Sequence, residues 1–307
     1  MKKSLFKGVF TALITPFTDY NTVDYTSLER IVNYQIDAGI DGLVPCGTSG
    51  ESPTLSHEEH NRVIRQTIKF AHGRVPVIAG TGSNATNEAI SLSQRAQDDG
   101  VDAVLLVNPY YNKPTQKGLY LHFKAVADSV SVPCILYNIK GRCGVNLETD
   151  TLIRLANDCP NIVAVKEASG DLVQMGDVIK RVEKKDFSVL SGDDNLSLEL
   201  IKMGGDGVVS VASNLFPHQM HKMISYALNG DFENAEKYNS WFSEFFKVCF
   251  IETNPIPIKT AMANMGFCKE IFRLPLCTAD DDHKKVLTEC VERMMKDIKE
   301  GKIDGIN

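Results

Sequence analysis

The sequence has no long apolar run and no cluster of basic residues. No stretch approaches the ~20 consecutive apolar residues of a membrane-spanning helix. Lys and Arg number 33 against 39 Asp and Glu, a net charge of −6, so no cationic patch is available to neutralise nucleic-acid phosphates. The apolar run after Lys2 and Lys3 is too short for a signal peptide and is broken by Pro16. We therefore expect no nucleic-acid partner and no membrane partner.

The cysteines and histidines lack the spacing of metal motifs. No two of the eight cysteines form a C-x-x-C pair, and several, such as Cys134, lie in apolar runs typical of reduced, buried cysteine. His57 and His60 are three residues apart, not the four of H-E-x-x-H, and the pair Asp193-Asp194 is more typical of a helix cap than of a metal site. We therefore predict no metal and a reducing, cytoplasmic location.

Short apolar runs alternate with amphipathic stretches over the first 228 residues. The runs are Val9–Thr15, Gly42–Cys46, Val75–Gly80, Ala103–Val107, Cys134–Asn138, Ile162–Lys166, Ser188–Ser191 and Gly207–Val211. The stretches with helical periodicity include Ser27–Ala38, His57–Ala71, Asn84–Asp98, Thr149–Asn157 and Leu172–Val182. Apolar strands separated by helices predict a parallel sheet that is covered on both faces. Eight such units favour an α/β fold of the (β/α)8 TIM-barrel type over a doubly wound sheet.

The rest of the chain contains no strand-like run. Its periodicity predicts helices over Asp231–Phe250, Pro257–Met265 and Asp280–Lys299, the last capped by Asp280. The aromatic flank of the first of these helices is expected to pack on the barrel or on a neighbouring subunit. We therefore predict two domains, a catalytic barrel over residues 1–229 and a small helical C-terminal domain over residues 230–307.

Lys166 is the most informative candidate for chemistry, because it ends an apolar strand. Alternation along that strand places Lys166 on the face of Ile162 and Ala164, with Glu167 on the opposite face. If that face lines the barrel, desolvation lowers the pKa of the amine. A neutral amine is the nucleophile that forms a Schiff base with a ketone. The alternative is a lysine that extends from the strand end into solvent.

Two further features lie at predicted strand ends. Tyr137 ends the strand before that of Lys166, where a phenol can relay protons, although a tyrosine packed for structural reasons is at least as common. The loop Gly47–Ser52 follows the second strand and can present several backbone N–H groups to a carboxylate or phosphate. It lacks the lysine of a P-loop, so a nucleotide phosphate is not the expected ligand.

A third loop, Gly80-Thr-Gly-Ser-Asn-Ala85, matches the loose dinucleotide fingerprint G-x-G-x-x-A. It follows the third strand rather than opening a βαβαβ half, which weakens the interpretation. A nicotinamide-dependent dehydrogenase remains a minor alternative.

Taken in order along the chain, the motifs of this sequence resemble one family. They are Gly47–Glu51, Pro109–Asn112, Tyr137-Asn138, Lys166–Ala168, Ser191–Asp194, Gly207–Val211 and Asn254–Lys259. The ordered set is similar to the dihydrodipicolinate synthase family of pyruvate-dependent, Schiff-base-forming lyases, which includes N-acetylneuraminate lyase. The resemblance covers nearly the whole chain.

The resemblance implies specific roles at the active site. Lys166 would form the imine with pyruvate, and no metal or organic cofactor would be required, because the lysine supplies the electron sink. Three hydroxyl groups would form a proton relay, with the third reaching in from a neighbouring subunit: Tyr137, Thr48 and Tyr111. The backbone at Thr48 and Ser49 would hold the pyruvate carboxylate. Gly192 and Val209 would contribute backbone groups around the imine.

Arg142 distinguishes the subfamily. The resemblance implies that it binds the carboxylate of L-aspartate 4-semialdehyde, a role that suits the planar guanidinium and that the neuraminate lyases lack. The loop departs from the family pattern: Lys140 replaces the usual proline, Gly141 a common serine and Cys143 a threonine. Because proline fixes φ and lysine does not, we expect a less rigid loop, which bears on substrate affinity rather than on the imine chemistry.

The resemblance also implies regulation and assembly. Feedback inhibition by L-lysine would use six positions that match the lysine site of inhibited bacterial members: Ser52, His57, His60, Asn84, Glu88 and Tyr110. The family expectation is a homotetramer built from two tight dimers. Two alternatives stay open, a pyruvate-dependent aldolase acting on sugar acids and a non-catalytic regulator that binds pyruvate or lysine.

Overall fold

Eight parallel strands form a barrel in the computed structural model, which describes residues 6–183 and 186–305. They are β1 (Gly8–Ala12), β2 (Gly42–Val44), β3 (Ile78–Gly80), β4 (Ala103–Val107), β5 (Cys134–Asn138), β6 (Ile162–Glu167), β7 (Ser188–Ser191) and β8 (Gly207–Ser210). Their order is β2-β1-β8-β7-β6-β5-β4-β3, and a parallel bridge from Leu43 to Val77 closes the ring between β2 and the segment before β3. The predicted TIM barrel is confirmed, and each predicted strand is present, some of them shorter than expected.

Helices connect the strands and continue beyond β8. They are α1 (Tyr25–Asp37), α2 (His57–Ala71), α3 (Thr86–Asp99), α4 (Gln116–Asp128), α5 (Lys140–Cys143), α6 (Thr149–Asp158), α7 (Leu172–Arg181), α8 (Ser197–Lys202), α9 (Pro217–Leu228), α10 (Phe232–Val248), α11 (Ile256–Asn264) and α12 (Asp281–Lys299). None of these described helices is long and apolar enough to cross a bilayer.

Local sequence explains where several helices begin and end. Ser56 and Glu59 form a capping box at the start of α2, and α3 ends at Gly100, whose φ of 94° suits glycine. The predicted cap by Asp280 is wrong in its chemistry. Asp280 does occupy the N-cap position of α12, but its side chain makes no capping bond, and its N–H donates to Glu252 Oε1 at 2.8 Å.

The barrel has an apolar interior that is separate from the core under the helices. Ala164 lies in the interior, as predicted for the face of Lys166, but Ile162 lies in the outer core. That part of the alternation was wrong because the β5–β6 register shifts between Cys134 and Ile135, which leaves Val163 as an extra residue. The irregularity lies before Lys166, so the lysine keeps its inward direction.

The C-terminal helices pack directly on the barrel. Phe216, just before α9, makes edge contacts with Trp241 (5.5 Å between centroids) and Phe245 (5.0 Å) of α10. The aromatic flank of α10 therefore packs on the barrel side, one of the two places expected for it. The division at residues 229 and 230 stays a prediction.

Candidate active site

Lys166 and Tyr137 meet at the carboxyl end of the barrel. The two residues are register partners on β6 and β5, and Lys166 Nζ lies 4.1 Å from the centre of the Tyr137 ring. Both side chains are buried. The hydroxyl of Thr48 hydrogen-bonds the phenol. The structure thus brings together three of the residues predicted for the reaction.

Burial changes the acidity of both groups. It lowers the pKa of Lys166 to about 8, and the carboxylates of Asp193 and Asp194 only partly oppose this. Burial also raises the pKa of Tyr137 well above its ordinary value, although nearby Arg142 acts in the opposite sense. At neutral pH the phenol therefore holds its proton, while a useful fraction of the lysine is the neutral amine.

Gly192 makes room for the lysine side chain. A Cβ at this position would lie 2.9 Å from Lys166 Cε and 2.6 Å from the Cβ of Ala168. Any other residue would displace the amine. Val209 lies in the same barrel interior, on β8.

The carboxylates of Asp193 and Asp194 do not cap the helical segment that follows them, contrary to the prediction from sequence. Asp194 Oδ2 accepts from the N–H groups of Val211 and Ala212 at 3.0 and 2.9 Å, which links the ends of β7 and β8. Asp193 makes no side-chain cap, and its charge acts on Lys166. The sequence alone does not predict these contacts of Asp194, because only the closed barrel brings the ends of β7 and β8 together.

The loop Gly47–Ser52 presents backbone donors next to Thr48. The N–H groups of Gly50 and Glu51 donate to Gly47 O and Thr48 O, both at 3.1 Å. For the N–H groups of Thr48 and Ser49, residues 6–183 and 186–305 supply no hydrogen-bond acceptor. These two donors fit the predicted binding of a carboxylate.

One cavity of about 400 Å³ joins the predicted substrate site to the predicted lysine site. Its lining includes residues of both sets: Thr48, Tyr137, Arg142, Ser52, His57, His60, Glu88 and Tyr110. Asn84 is not part of the lining, and its carbonyl accepts from the side chain of Asn112 at 2.8 Å. Tyr111 is 89% exposed and stands outside the cavity, so this chain alone does not complete the predicted relay.

Glu88 is the centre of a small polar chain in the outer part of this cavity. Its carboxylate accepts a hydrogen bond from Ser83 and lies 2.8 Å from His57 Nε2. The Ser83 bond, followed by His57, keeps the pKa of Glu88 below its usual value. His60 bonds the carbonyl of Gly80 at 2.9 Å, and burial lowers its pKa. The group offers the Glu88 carboxylate, with the imidazole of His57 in direct contact.

Arg142 is held from the C-terminal part of the chain. It lies on the short helix α5 and donates to Thr253 Oγ1 at 3.4 Å and to the carbonyl of Asn254 at 3.2 Å. These partners are more than 100 residues away in sequence, so no local pattern predicts them. The contacts aim the guanidinium at the cavity that contains Tyr137.

Two other features receive structural explanations. At the end of β3, a Cβ on Gly80 would lie 2.4 Å from Cys46 O, and in the loop that follows, a Cβ on Gly82 would lie 2.3 Å from Val107 N, so barrel packing requires both glycines. Glu252, Asp280 and His283 have ligand atoms within 4.8 Å of one another, but Glu252 already accepts from the other two residues at the start of α12. That contact orders a helix start, where the helix dipole disfavours a cation.

Comparisons with known proteins agree with this geometry. The sequence model of the Dihydrodipicolinate synthetase family matches residues 5–294. The 4-hydroxy-tetrahydrodipicolinate synthase of Aquifex aeolicus (strain VF5) is 47% identical over 94% of this chain and 98% of its own length. That of Methanocaldococcus jannaschii is 49% identical over 96% of this chain and 99% of its own length.

Two solved structures of the same family have the same fold over nearly the whole chain. The chloride-inhibited dihydrodipicolinate synthase of Acinetobacter baumannii complexed with pyruvate superposes with a TM-score of 0.92 at 42% identity, over 94% of this chain and 99% of that one. The enzyme of Cyanidioschyzon merolae with lysine bound gives 0.92 at 39% identity, over 95% and 99%. A TIM barrel of this kind, with a buried lysine at its carboxyl end and a family match over nearly its whole length, leads to one conclusion: the chain belongs to the dihydrodipicolinate synthetase family and is a lyase-type enzyme.

Proposed function

We propose that this enzyme condenses pyruvate with L-aspartate 4-semialdehyde through a Schiff base on Lys166, in the biosynthesis of diaminopimelate and lysine. The observation that carries the proposal is the buried amine of Lys166 beside Tyr137, whose pKa burial lowers to about 8. The pyruvate complex of the Acinetobacter baumannii relative supports the first substrate.

The reaction follows from the chemistry of the amine. Lys166 Nζ attacks the keto carbon of pyruvate, and loss of water gives the imine. Loss of a proton from the methyl carbon gives an enamine, whose carbon attacks the aldehyde of the second substrate, and the resulting alkoxide takes up a proton. The amino group of the second substrate then attacks the imine carbon, which closes the ring and releases the free amine of Lys166. Tyr137 is protonated at neutral pH and hydrogen-bonded to Thr48, so it serves as the acid that protonates the departing hydroxyl.

Different residues bind the carboxylates of the two substrates. The N–H groups of Thr48 and Ser49 bind the pyruvate carboxylate, with Gly192 and Val209 around the imine. Arg142 binds the carboxylate of the semialdehyde, which suits a guanidinium fork held at a fixed angle. Replacement of Arg142 by Lys should raise the KM for the semialdehyde by about 100-fold and leave pyruvate binding unchanged, because lysine cannot make the bidentate contact.

A mass measurement tests the central step. The intact protein is mixed with pyruvate and sodium borohydride, and its mass is compared with that of Lys166→Ala under the same conditions. A single reduced pyruvate adduct on the wild type alone supports the proposal. Absence of the adduct on folded wild type would overturn it. A panel of sugar-acid aldehydes in place of the semialdehyde separates this synthase from an aldolase of the same chemistry.

We further propose that L-lysine inhibits the enzyme from the outer part of the cavity. The polar chain at Glu88 and the lysine-bound relative from Cyanidioschyzon merolae support this. The carboxylate of Glu88 would pair with an ammonium group of the inhibitor, while Ser52, His57, His60, Asn84 and Tyr110 would complete the site. Glu88→Gln should weaken inhibition by about tenfold, with catalysis in the absence of lysine retained. Unchanged activity of the wild type in millimolar lysine would remove the proposal.

The proposed assembly is a homotetramer of two tight dimers, in which Tyr111 of one subunit completes the relay of another. The exposed position of Tyr111 supports this, since a solvated phenol has no role in its own site. Sedimentation velocity gives the oligomeric state, and a Tyr111→Phe variant should lose most of its turnover while still forming the pyruvate adduct.

A further inference from the structure

A lysine and a glutamate form an ion pair in the interior of the molecule, away from Lys166. Lys259 of α11 donates to Glu51 Oε1 at 2.6 Å, and both side chains are 0% exposed. Lys259 Nζ also lies 4.1 Å from the centre of the Phe17 ring and 5.0 Å from that of Phe272. Desolvation of two charges in such a setting is costly, and hydrophobic side chains of similar size would often serve stability as well. We therefore expect the Lys259–Glu51 pair to have a role other than stabilising the fold.

Glu51 belongs to the loop that presents the carboxylate donors. Its φ is 52°, a left-handed conformation that is unfavourable for a residue other than glycine and persists where surrounding contacts impose it. Those contacts are the Lys259 ammonium on one oxygen and the N–H of Arg273, at 3.3 Å, on the other. The N–H of Glu51 in turn donates to Thr48 O at 3.1 Å. The position of the buried carboxylate thus fixes the backbone of Thr48.

A second contact from the same C-terminal segment reaches the neighbouring residue. Asn254 Nδ2 donates to Ser49 Oγ at 3.1 Å, and the carbonyl of Asn254 accepts from Arg142 at 3.2 Å. The stretch from Asn254 to Lys259 therefore contacts both proposed carboxylate sites, the loop on one side and the guanidinium on the other.

We propose that Lys259 is a positioning residue for the keto-acid substrate: through Glu51 it holds the N–H groups of Thr48 and Ser49 in the geometry that binds the carboxylate, with a smaller contribution from Asn254. Lys259 reaches the loop through Glu51, and Asn254 reaches it through Ser49. Displacement of a binding group by a fraction of an ångström lowers binding and rate substantially, and the pair prevents such a displacement. This role for Lys259 rests on the proposed function, because it explains how the loop is held for the binding of pyruvate.

The test uses a variant that removes both charges together. Glu51→Gln with Lys259→Met leaves no unpaired charge in the interior, so the double variant should fold with a melting temperature near that of the wild type. We expect its half-saturating pyruvate concentration in borohydride trapping to rise by about tenfold or more, with the rate at saturating pyruvate within about threefold of wild type. Asn254→Ala, which involves no buried charge, should raise the same concentration by about threefold.

Lys284→Met provides the matched control. Lys284 pairs with Glu270 at 3.1 Å in the same C-terminal region, and neither residue contacts the loop. This control should leave the pyruvate dependence unchanged. A folded double variant with wild-type pyruvate dependence would overturn the inference, and so would a rise of equal size in the control. If the double variant fails to fold, Asn254→Ala decides: a wild-type pyruvate dependence in that variant overturns the inference. Failure of the wild type to form any adduct would instead refute the proposed function.

Discussion

Two lysines are buried among the residues that the structure describes, and they differ in what lies beside them. Lys166 lies at the carboxyl end of the barrel over the Tyr137 ring, with Asp193 and Asp194 near enough to act on its charge but not paired with it. Lys259 lies on α11, and its ammonium is bonded to Glu51 at 2.6 Å. Burial lowers the pKa of both, and in Lys259 the Glu51 carboxylate acts directly against this effect.

The comparison shows that burial by itself does not make a nucleophile. A carboxylate in contact holds an ammonium in its charged form, in which the nitrogen has no lone pair to attack a ketone. Desolvation is the largest influence on the pKa of both lysines, and the difference is that Glu51 bonds the Lys259 nitrogen at 2.6 Å, whereas Asp193 and Asp194 act on Lys166 only through their charge. We infer that Lys259, which is bonded directly to Glu51, acts as a positioning group, whereas Lys166, which has no such bond, acts as the reactive amine.

The largest effect should come from Lys166→Met. Trapping of pyruvate by borohydride should fall to zero, because the amine that forms the imine is replaced by an unreactive side chain of similar length. Intact-protein mass after trapping is the measurement. Lys259→Met, which changes the other buried lysine, should retain one adduct in its folded fraction. An adduct that persists on Lys166→Met and disappears on Lys259→Met would reverse the comparison.

Lys259→Met alone should destabilise the fold strongly. It leaves the Glu51 carboxylate buried without its partner, which costs about 3–5 kcal/mol. Chemical denaturation of the single variant, beside the double variant with Glu51→Gln, measures this cost. Equal free energies of unfolding for the single and the double variant would show that other groups stabilise the Glu51 carboxylate when Lys259 is absent.

Lys166→Met should stabilise the fold at neutral pH, in contrast to Lys259→Met. In the wild type the folded pKa of Lys166 is about 8 and the unfolded value is near 10.5, so the unfolded state binds more protons between these values. Stability of the wild type relative to the variant is therefore lowest below pH 8 and rises through the window from pH 8 to 10.5. Below pH 8 the variant should be more stable by an amount on the order of 3 kcal/mol. Denaturation of both proteins at pH 7 and pH 10 checks the difference, which should shrink at the higher pH.

The smallest effect should come from Asp193→Asn. The Asp193 carboxylate raises the pKa of Lys166 against the effect of burial, so its removal should lower that pKa and increase the neutral amine at pH 7. The initial rate of adduct formation at saturating pyruvate should increase by about threefold. The pH dependence of that rate, which rises through about pH 8 in the wild type, should move to lower pH. Asp281→Asn, on the exposed start of α12, is the control and should change neither quantity.

Much of the fold follows from patterns within single segments. Apolar runs bounded by glycine and polar residues located every strand, and the lysine at the end of one of them identified the chemistry. The prediction that Ile162 faces inward was wrong because a register irregularity depends on the neighbouring strand. The side-chain caps proposed for Asp193, Asp194 and Asp280 are absent, and the carboxylate of Asp194 instead accepts from the N–H groups at the end of β8, which the sequence near Asp194 does not reveal.

The sequence alone determined the barrel, the family resemblance and the position of Lys166, because alternation, helical periodicity and residue type act over a few neighbouring positions. Only the tertiary structure decided which buried lysine is paired, since Glu51 and Lys259 are 208 residues apart and meet through the packing of α11 on the barrel. It also decided how Arg142 and Ser49 are held, by one C-terminal segment. The physical reason is that desolvation and charge pairing depend on the distance between side chains in space, which closure of the barrel and packing of the C-terminal helices set.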